Sequence, residues 1–96
     1  MGNKNDQEAF YKRLKGELAK STQWPSLYMY KFIVPSDEQK ILTIEKTFDN
    51  MGAVIDKKSS SNGNYTSISV KVTMEDPESV IAIYKEVGQV EGVISL

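Results

Sequence analysis

The chain has 96 residues, of which 40% are hydrophobic and 26% are charged, and these values predict one small globular domain. A formal net charge of -1 argues against a general affinity for nucleic acid or for anionic membranes. The chain has no cysteine and no histidine, which excludes disulfides, thiolate chemistry and the commonest general base. It also has no apolar run long enough to cross a bilayer, so we expect a cytoplasmic protein without membrane contact.

A polar tail and an amphipathic helix are predicted at the N-terminus. The apolar side of this helix is formed by Phe10, Leu14 and Leu18. Trp24-Pro25 ends the region, because the residue before a proline is driven towards extended geometry. We therefore divide the chain into residues 1–23, the tail and helix, and residues 24–96, the main domain.

The main domain opens with a strand followed by a helix. Residues 27–34 are apolar at odd and even positions alike, which is typical of a central strand, and Pro35 ends it. Ser36 is predicted as the N-cap of the helix, with Gln39 completing a capping box.

A hairpin is predicted next, with a tight turn at Asn62-Gly63. The strand before the turn carries lysines and serines, which indicates a sheet edge. The strand after it alternates strictly between apolar and polar residues. Its predicted inward side chains are Ile68, Val70, Val72 and Met74.

A second helix and a last strand complete the chain. Asp76-Pro77 supplies an N-cap aspartate and a proline at the first helical position. The buried face of this helix is predicted to contain Val80, Ile83, Tyr84 and Val87. Residues 90–96 are predicted as the final strand.

This order of elements predicts an α+β protein: a ferredoxin-like βαββαβ sandwich with an extra N-terminal helix. Two right-handed βαβ units joined by a hairpin give an antiparallel sheet of order 4-1-3-2, with both crossover helices on one face. The other face of the sheet is left open.

Three segments together resemble a known family. They are Trp24-Pro25 with the strand through Pro35, then residues 59–70 around the glycine turn, and finally residues 91–96. The chain is similar here to the YbeD-like family of small bacterial proteins, a domain-of-unknown-function family. The resemblance implies an ACT-like fold and a regulatory role with a loose link to lipoate metabolism. It implies no catalytic residues.

Lys31 decides which side of the first strand is open. Burying a lysine in a central strand costs several kcal/mol unless the charge is paired or neutralised. We therefore expect Lys31 to point outward together with Leu27, Met29 and Ile33, and Tyr28, Tyr30, Phe32 and Val34 to point inward. Val93 is predicted to join the outward set.

An open face of this composition is expected to be covered. We predict that Phe10, Leu14 and Leu18 supply the cover, either within one chain or across a homodimer. ACT-like sheets associate by edge or by face, which is an analogy of fold only.

The outward polar residues are the candidate binding site. Lys31, Tyr65, Ser67, Ser69 and Lys71 are the side chains predicted nearest to a small anionic metabolite or a protein partner. Solvated lysines and ordinary strand hydroxyls are the alternative interpretation of the same residues. The acidic residues at the helix starts are read as caps and not as metal ligands, and no metal site or cofactor is predicted.

We therefore expect a non-enzymatic regulatory or interaction module. The alternative is single-stranded RNA or other nucleic-acid binding through the open sheet face. RNA-binding domains of this fold stack bases on outward aromatic residues of the first and third strands. That alternative requires Tyr28, Tyr30 and Phe32 to face solvent, so we do not expect a nucleic-acid partner.

Overall fold

The structure is a computed structural model that describes residues 4–96, with side chains from Asp6 onward. Its elements in chain order are α1 (Lys4–Ser21), β1 (Ser26–Pro35), α2 (Glu38–Thr47), β2 (Val54–Ser59), β3 (Tyr65–Met74), α3 (Pro77–Val87) and β4 (Ile94–Ser95). Helix α1 thus begins inside the predicted tail, and residues 1–3 of that tail lie outside the described residues.

The four strands form one antiparallel sheet in the order β2-β3-β1-β4. Read from the β4 edge, this is the order 4-1-3-2. The two central strands, β1 and β3, pair along their whole length, from Ser26 opposite Met74 to Pro35 opposite Tyr65. The protein is therefore of the predicted α+β class, with three helices and one sheet in residues 4–96.

The core lies between the sheet and the helices α2 and α3. It is built from alternate residues of β1 and β3 and from the apolar sides of the two helices. Its largest fully buried side chains are Tyr30, Phe32, Ile44, Ile68, Val34, Val70, Val72, Val80 and Val87. We call this covered side of the sheet the inner face. The assignment of Ile68, Val70, Val72 and Met74 to it is confirmed.

The orientation of β1 is also confirmed. Tyr30, Phe32 and Val34 are buried, whereas Lys31 between them is exposed. Tyr28 is half-buried and packs on the edge of the core. The cost of desolvating one ammonium group was enough to choose between two apolar sides of the same strand.

The cap of α2 differs from the prediction by one residue. The N-cap is Asp37, whose carboxylate Oδ1 accepts hydrogen bonds from the backbone N–H groups of Gln39 and Lys40 at 2.8 and 3.2 Å. Ser36 instead hydrogen-bonds through Oγ to Oγ1 of Thr66 on β3, at 2.8 Å. The start of the helix is thereby fixed to the neighbouring strand.

The hairpin loop is wider than predicted. The backbone N–H of Ser60 donates to the carbonyl of Tyr65, and the N–H of Gly63 donates to the carbonyl of Ser60. Only Gly63 of the predicted pair has a positive φ, 76°. The pairing register is nevertheless the one that a two-residue loop at Asn62-Gly63 would give. The observed, wider loop and the predicted, tighter loop are centred on the same point of the chain.

Strand β4 is much shorter than predicted. It contains only Ile94 and Ser95, which pair with Ile33 and Phe32 of β1. The chain before it turns, with the N–H of Val93 donating to the carbonyl of Val90. Val93 consequently packs against the core, so the prediction that it lies on the open side is wrong. Ile94 takes that place, opposite Ile33.

Helix α1 packs against α3 and does not cover the open side of the sheet. Two ion pairs join the helices, Lys15 to Glu78 at 3.2 Å and Lys85 to Glu8 at 3.6 Å. Leu14 and Leu18 are half-buried against the edge of the core. The expectation that α1 covers the open side within one chain is therefore wrong, because the apolar side of α1 is used at the core.

Candidate functional site

The side of the sheet opposite α2 and α3 is the candidate site, and we call it the open face. Strand pairing assigns its members, because residues opposite each other on paired strands share a face. They are Leu27, Met29, Lys31 and Ile33 of β1, Ser67, Ser69, Lys71 and Thr73 of β3, Val54, Asp56 and Lys58 of β2, and Ile94 of β4.

Large apolar side chains are concentrated on this face. Leu27 is 67% exposed, Met29 59% and Val54 60%, and Ile94 is similarly exposed. Tyr65, at the start of β3, is about half-exposed at the same end of the sheet as Ile33. An apolar surface of this kind, mixed with polar groups, is typical of an interaction site.

Three lysines lie among these apolar side chains. Lys31 is opposite Ser69, Lys71 is opposite Met29, and Lys58 is opposite Ser67. Within residues 6–96 none of the three forms a salt bridge, in contrast to Lys15, Lys57 and Lys85, which pair with glutamates. Asp56 is the acidic member of the face. The open face is therefore cationic as well as apolar.

A cleft of about 570 Å³ opens at the hairpin end of this face. We call it the hairpin cleft. It is lined by Ile33, Lys58, the three serines Ser59, Ser60 and Ser61, Tyr65 and Ser67. It therefore combines one ammonium group, several hydroxyl groups and one aromatic ring.

The serines of the cleft have different roles. The hydroxyl of Ser60 donates to Oδ1 of Asn62 at 2.9 Å and accepts from the backbone N–H of Tyr65 at 3.1 Å, so it holds the loop. Oδ1 of Asn62 also accepts from the N–H of Asn64, which closes an Asx turn. Within the described chain the hydroxyls of Ser59 and Ser61 make no such bond, and they remain available to a ligand.

The structure separates the five predicted binding residues into two groups. Tyr65 and Ser67 lie together in the hairpin cleft. Lys31, Ser69 and Lys71 lie further along the open face, with Lys31 and Lys71 on adjacent strands and diagonal to each other. The three predicted self-association residues are on α1, where Phe10 is 55% exposed and the other two are half-buried.

Lys58 is a cleft residue that the sequence reasoning missed. A signal for it was present: the predicted hairpin places Lys58 opposite Ser67, and therefore on the same face. Lysines on an edge strand are already explained by protection against aggregation, so the sequence pattern alone does not mark Lys58 as a site residue. In the described residues no group of three or more acidic side chains is arranged to hold a metal ion.

The inner face has a different electrostatic character. Burial raises the pKa of the Tyr30 phenol and of the Tyr84 phenol, because the phenolate would be desolvated. The Tyr84 hydroxyl also shares a hydrogen bond of 2.8 Å with the hydroxyl of Tyr28, which adds to the rise in its pKa. These groups are structural and face away from the candidate site.

No helix of the described chain combines the length and the apolar character needed to cross a bilayer. No curated protein and no solved structure shows significant similarity to the sequence. A family model with the description "Protein of unknown function (DUF493)" matches residues 19–96. The match covers every strand, both helices of the core and the end of α1. The chain therefore belongs to this family, the YbeD family whose members it resembles in sequence.

Proposed function

We propose that this protein is a non-enzymatic regulatory or interaction module of the ACT-like, ferredoxin-like type, acting in the cytoplasm. Its ligand is a small anion or an acidic group of a protein partner, bound on the open face. The βαββαβ order of the main domain and the sheet order support this choice of fold. Membership in the family adds no reaction, because the family is described only as of unknown function.

The observation that carries the proposal is the grouping of three lysines on one exposed, largely apolar face of the sheet. Lys31, Lys58 and Lys71 all face outward on this one side of the sheet, and none of them has an ion-pair partner in the described chain. Exposed apolar side chains surround them. A ligand with an anionic group and an apolar body matches this mixture, since each part would contact a group of the complementary kind.

The hairpin cleft is the most favourable place on the face for such a ligand. The ammonium group of Lys58 would contact the anion, and the hydroxyl groups of Ser59, Ser61 and Tyr65 would donate hydrogen bonds. Ile33 and the Tyr65 ring would contact the apolar part. An enzymatic role has less support, because the chain has no histidine or cysteine to act as base or nucleophile.

The nucleic-acid alternative loses its main argument. Tyr30 and Phe32 are fully buried and Tyr28 packs against the core, so β1 presents no aromatic platform for base stacking. Tyr65 is the exposed aromatic residue of β3.

The proposal is tested by titrating the ¹⁵N-labelled protein with inorganic phosphate, lipoate, single amino acids and a short single-stranded RNA. We expect an anionic small molecule to shift the amide signals of residues 58–67 and of Lys31 and Lys71. Lys58→Gln should weaken this binding, whereas Lys20→Gln on α1 should not. Both lysines are exposed, so neither change should affect folding.

Two results would contradict the proposal. If millimolar concentrations of every anion leave the open-face amides unchanged, the face does not bind this class of ligand. If only the RNA produces shifts there, the nucleic-acid alternative becomes the better interpretation.

A further inference from the structure

The outer edge of β1 is only partly paired. Strand β4 covers Phe32 and Ile33, and the backbone N–H of Leu96 donates to the carbonyl of Lys31 at 2.9 Å. Strand β1 extends back to Ser26, with β3 paired along its other side. Residues 26–30 therefore have a strand on one side, and no strand of the described chain on the other.

The backbone of this edge presents hydrogen-bonding groups in a fixed order. In an antiparallel ladder, alternate residues direct both their N–H and C=O to the same neighbouring strand. Lys31 directs its carbonyl to the β4 side, so Met29 and Leu27 direct their groups to the same side. Within the described chain Met29 has no hydrogen-bond partner there, and the Leu27 carbonyl has only a long contact of 3.4 Å from Oγ of Ser26.

An apolar groove of about 300 Å³ adjoins this edge, and we call it the edge groove. The groove lies between α1, which packs beside α3, and the part of the β1 edge that the short β4 does not cover. Its walls include Phe10, Tyr11 and Leu14 of α1, Tyr28 of β1, Tyr84 of α3, and Leu96. If β4 were longer, it would run along this edge of β1, and the groove would lie next to it on the inner face of the sheet.

We propose that the Leu27–Tyr30 edge and the edge groove bind an extended peptide segment of a partner protein, which adds to the sheet as a strand continuing β4. An extended chain matches the alternating donors and acceptors of the vacant edge. This site borders the anion site of the open face at Lys31 and Lys71. The two proposals can still fail separately, because this one is tested by protection of the backbone amides of Leu27 and Met29.

Side-chain chemistry narrows the kind of segment. Its inward side chains enter the groove beside Phe10, Leu14 and Tyr28, so they are apolar. Its outward side chains lie beside Leu27 and Met29, with Lys31 and Lys71 as the nearest charged members of the open face. Charge complementarity therefore favours acidic outward residues, and the partner segment alternates between apolar and acidic residues.

A second copy of this chain fits the edge less well. Each copy carries its own α1 next to its own β1 edge. If two β1 edges paired with each other, both α1 helices would have to occupy the space beside the new pair of strands. The α1 helix is held in place by its ion pairs and by Leu14 and Leu18 at the core. A single peptide strand has no such helix.

The test uses a short capped peptide of alternating valine and glutamate, added to the whole protein. We expect amide hydrogen exchange to slow at Leu27 and Met29 as the peptide saturates. Two control peptides carry N-methyl groups on alternate backbone nitrogens. One methylation pattern should abolish the protection and the other should retain it, because only one side of the added strand faces β1.

A pair of variants tests whether the peptide binds in the edge groove. Phe10→Ala should raise the Kd of the peptide by about tenfold, as expected for loss of an aromatic contact. Leu42→Ala, which changes an exposed apolar residue of α2 outside the groove, should leave the Kd unchanged. Both side chains are exposed, so neither variant should fail to fold.

Three results would overturn the proposal. In the first, exchange at Leu27 and Met29 does not change with millimolar peptide. In the second, both methylation patterns bind equally, which means that the peptide contacts the face and not the edge. In the third, the edge is protected without peptide and the protein has the mass of a dimer, so that a second copy is the occupant.

Discussion

The two sides of β1 are nearly equal in sequence and opposite in environment. Tyr30 and Phe32 are fully buried on the inner face, whereas Leu27 and Met29 on the open face are more than half exposed. The apolar content of the strand therefore does not show which side forms the core. One charged residue, Lys31, distinguishes them.

The inner face is also more constrained than the open face. The ring of Tyr30 lies 4.9 Å from that of Tyr84 and 5.4 Å from that of Phe48, and its hydroxyl donates to the carbonyl of Val80 at 3.1 Å. In the described residues every buried side-chain nitrogen and oxygen has a hydrogen-bond partner. No comparable network ties the side chains of the open face, so that face can change for binding without loss of the fold.

The largest expected effect comes from truncating an aromatic residue of the inner face. Phe32→Ala should lower the free energy of unfolding by about 3–5 kcal/mol, because it removes a fully buried ring and leaves a cavity. Met29→Ala, three residues earlier on the open face, should change it by less than about 0.5 kcal/mol. Urea denaturation followed by circular dichroism measures both values. Similar losses for the two variants would mean that the open face is covered in solution.

A second prediction extends the contrast between packed and open regions to two glycines. Gly63 in the hairpin and Gly92 before β4 both have a positive φ, 76° and 84°. A Cβ atom at Gly63 would meet nothing within 4 Å, but one at Gly92 would lie 2.9 Å from Cγ of Pro35. Gly63→Ala should therefore cost about 1–2 kcal/mol from backbone strain alone. Gly92→Ala should lower the free energy of unfolding by roughly 1 kcal/mol more than Gly63→Ala does, because of the added contact with Pro35.

The same urea denaturation measurement separates the two glycine variants. Equal losses would show that the contact between Gly92 and Pro35 relaxes at no cost. An unchanged stability for Gly63→Ala would mean that the loop adopts another turn in solution.

A third prediction uses the raised pKa of Tyr30 and Tyr84. Both phenols stay protonated in the folded state above the pH, about 10, at which they ionise in the unfolded chain. The contribution of these two tyrosines to the free energy of unfolding is therefore fully present below pH 10. It falls as the pH rises further, by roughly 1 kcal/mol per pH unit for each tyrosine. Unfolding free energies at pH 8 to 11 measure the loss. Tyr84→Phe should make the pH dependence shallower, and an equal slope would contradict this assignment.

The elements that could be predicted from the sequence are those in which several local signals agree. In α3, Asp76 and Pro77 mark the start and an apolar stripe faces the core, and the structure confirms each feature. The register of the hairpin was predictable even though the loop was not, because loops of two and four residues share one centre. The start of α2 was wrong by one residue, since serine and aspartate are both good N-caps and a contact to Thr66 decided between them.

The features that could not be predicted depend on contacts distant in sequence. The length of β4 is set by a turn at residues 90–93, which gives Gly92 its positive φ. The position of α1 depends on the packing of Leu14 and Leu18 at the edge of the core, with exposed ion pairs to α3 beside it, and no local pattern reveals these contacts. For the candidate site, face membership could be derived from alternation. The cleft that joins Tyr65 and Ser67 to Lys58 required the three-dimensional path of the hairpin.

The smallest expected effect concerns the start of α3, the helix that covers β1 on the inner face. Hydrogen bonds from the side chain and backbone of Ser79 lower the pKa of Asp76, with a further contribution from the charge of Lys15. A lowered pKa in the folded state stabilises the fold above the unfolded pKa, about 4, and this contribution disappears as the pH falls through the folded value. Asp76→Asn keeps a capping side chain but removes the charge. Its melting temperature should therefore be slightly below that of the wild type at neutral pH, and the difference should vanish in strong acid. A difference that persists in strong acid would show that the aspartate acts through cap geometry and not through its charge.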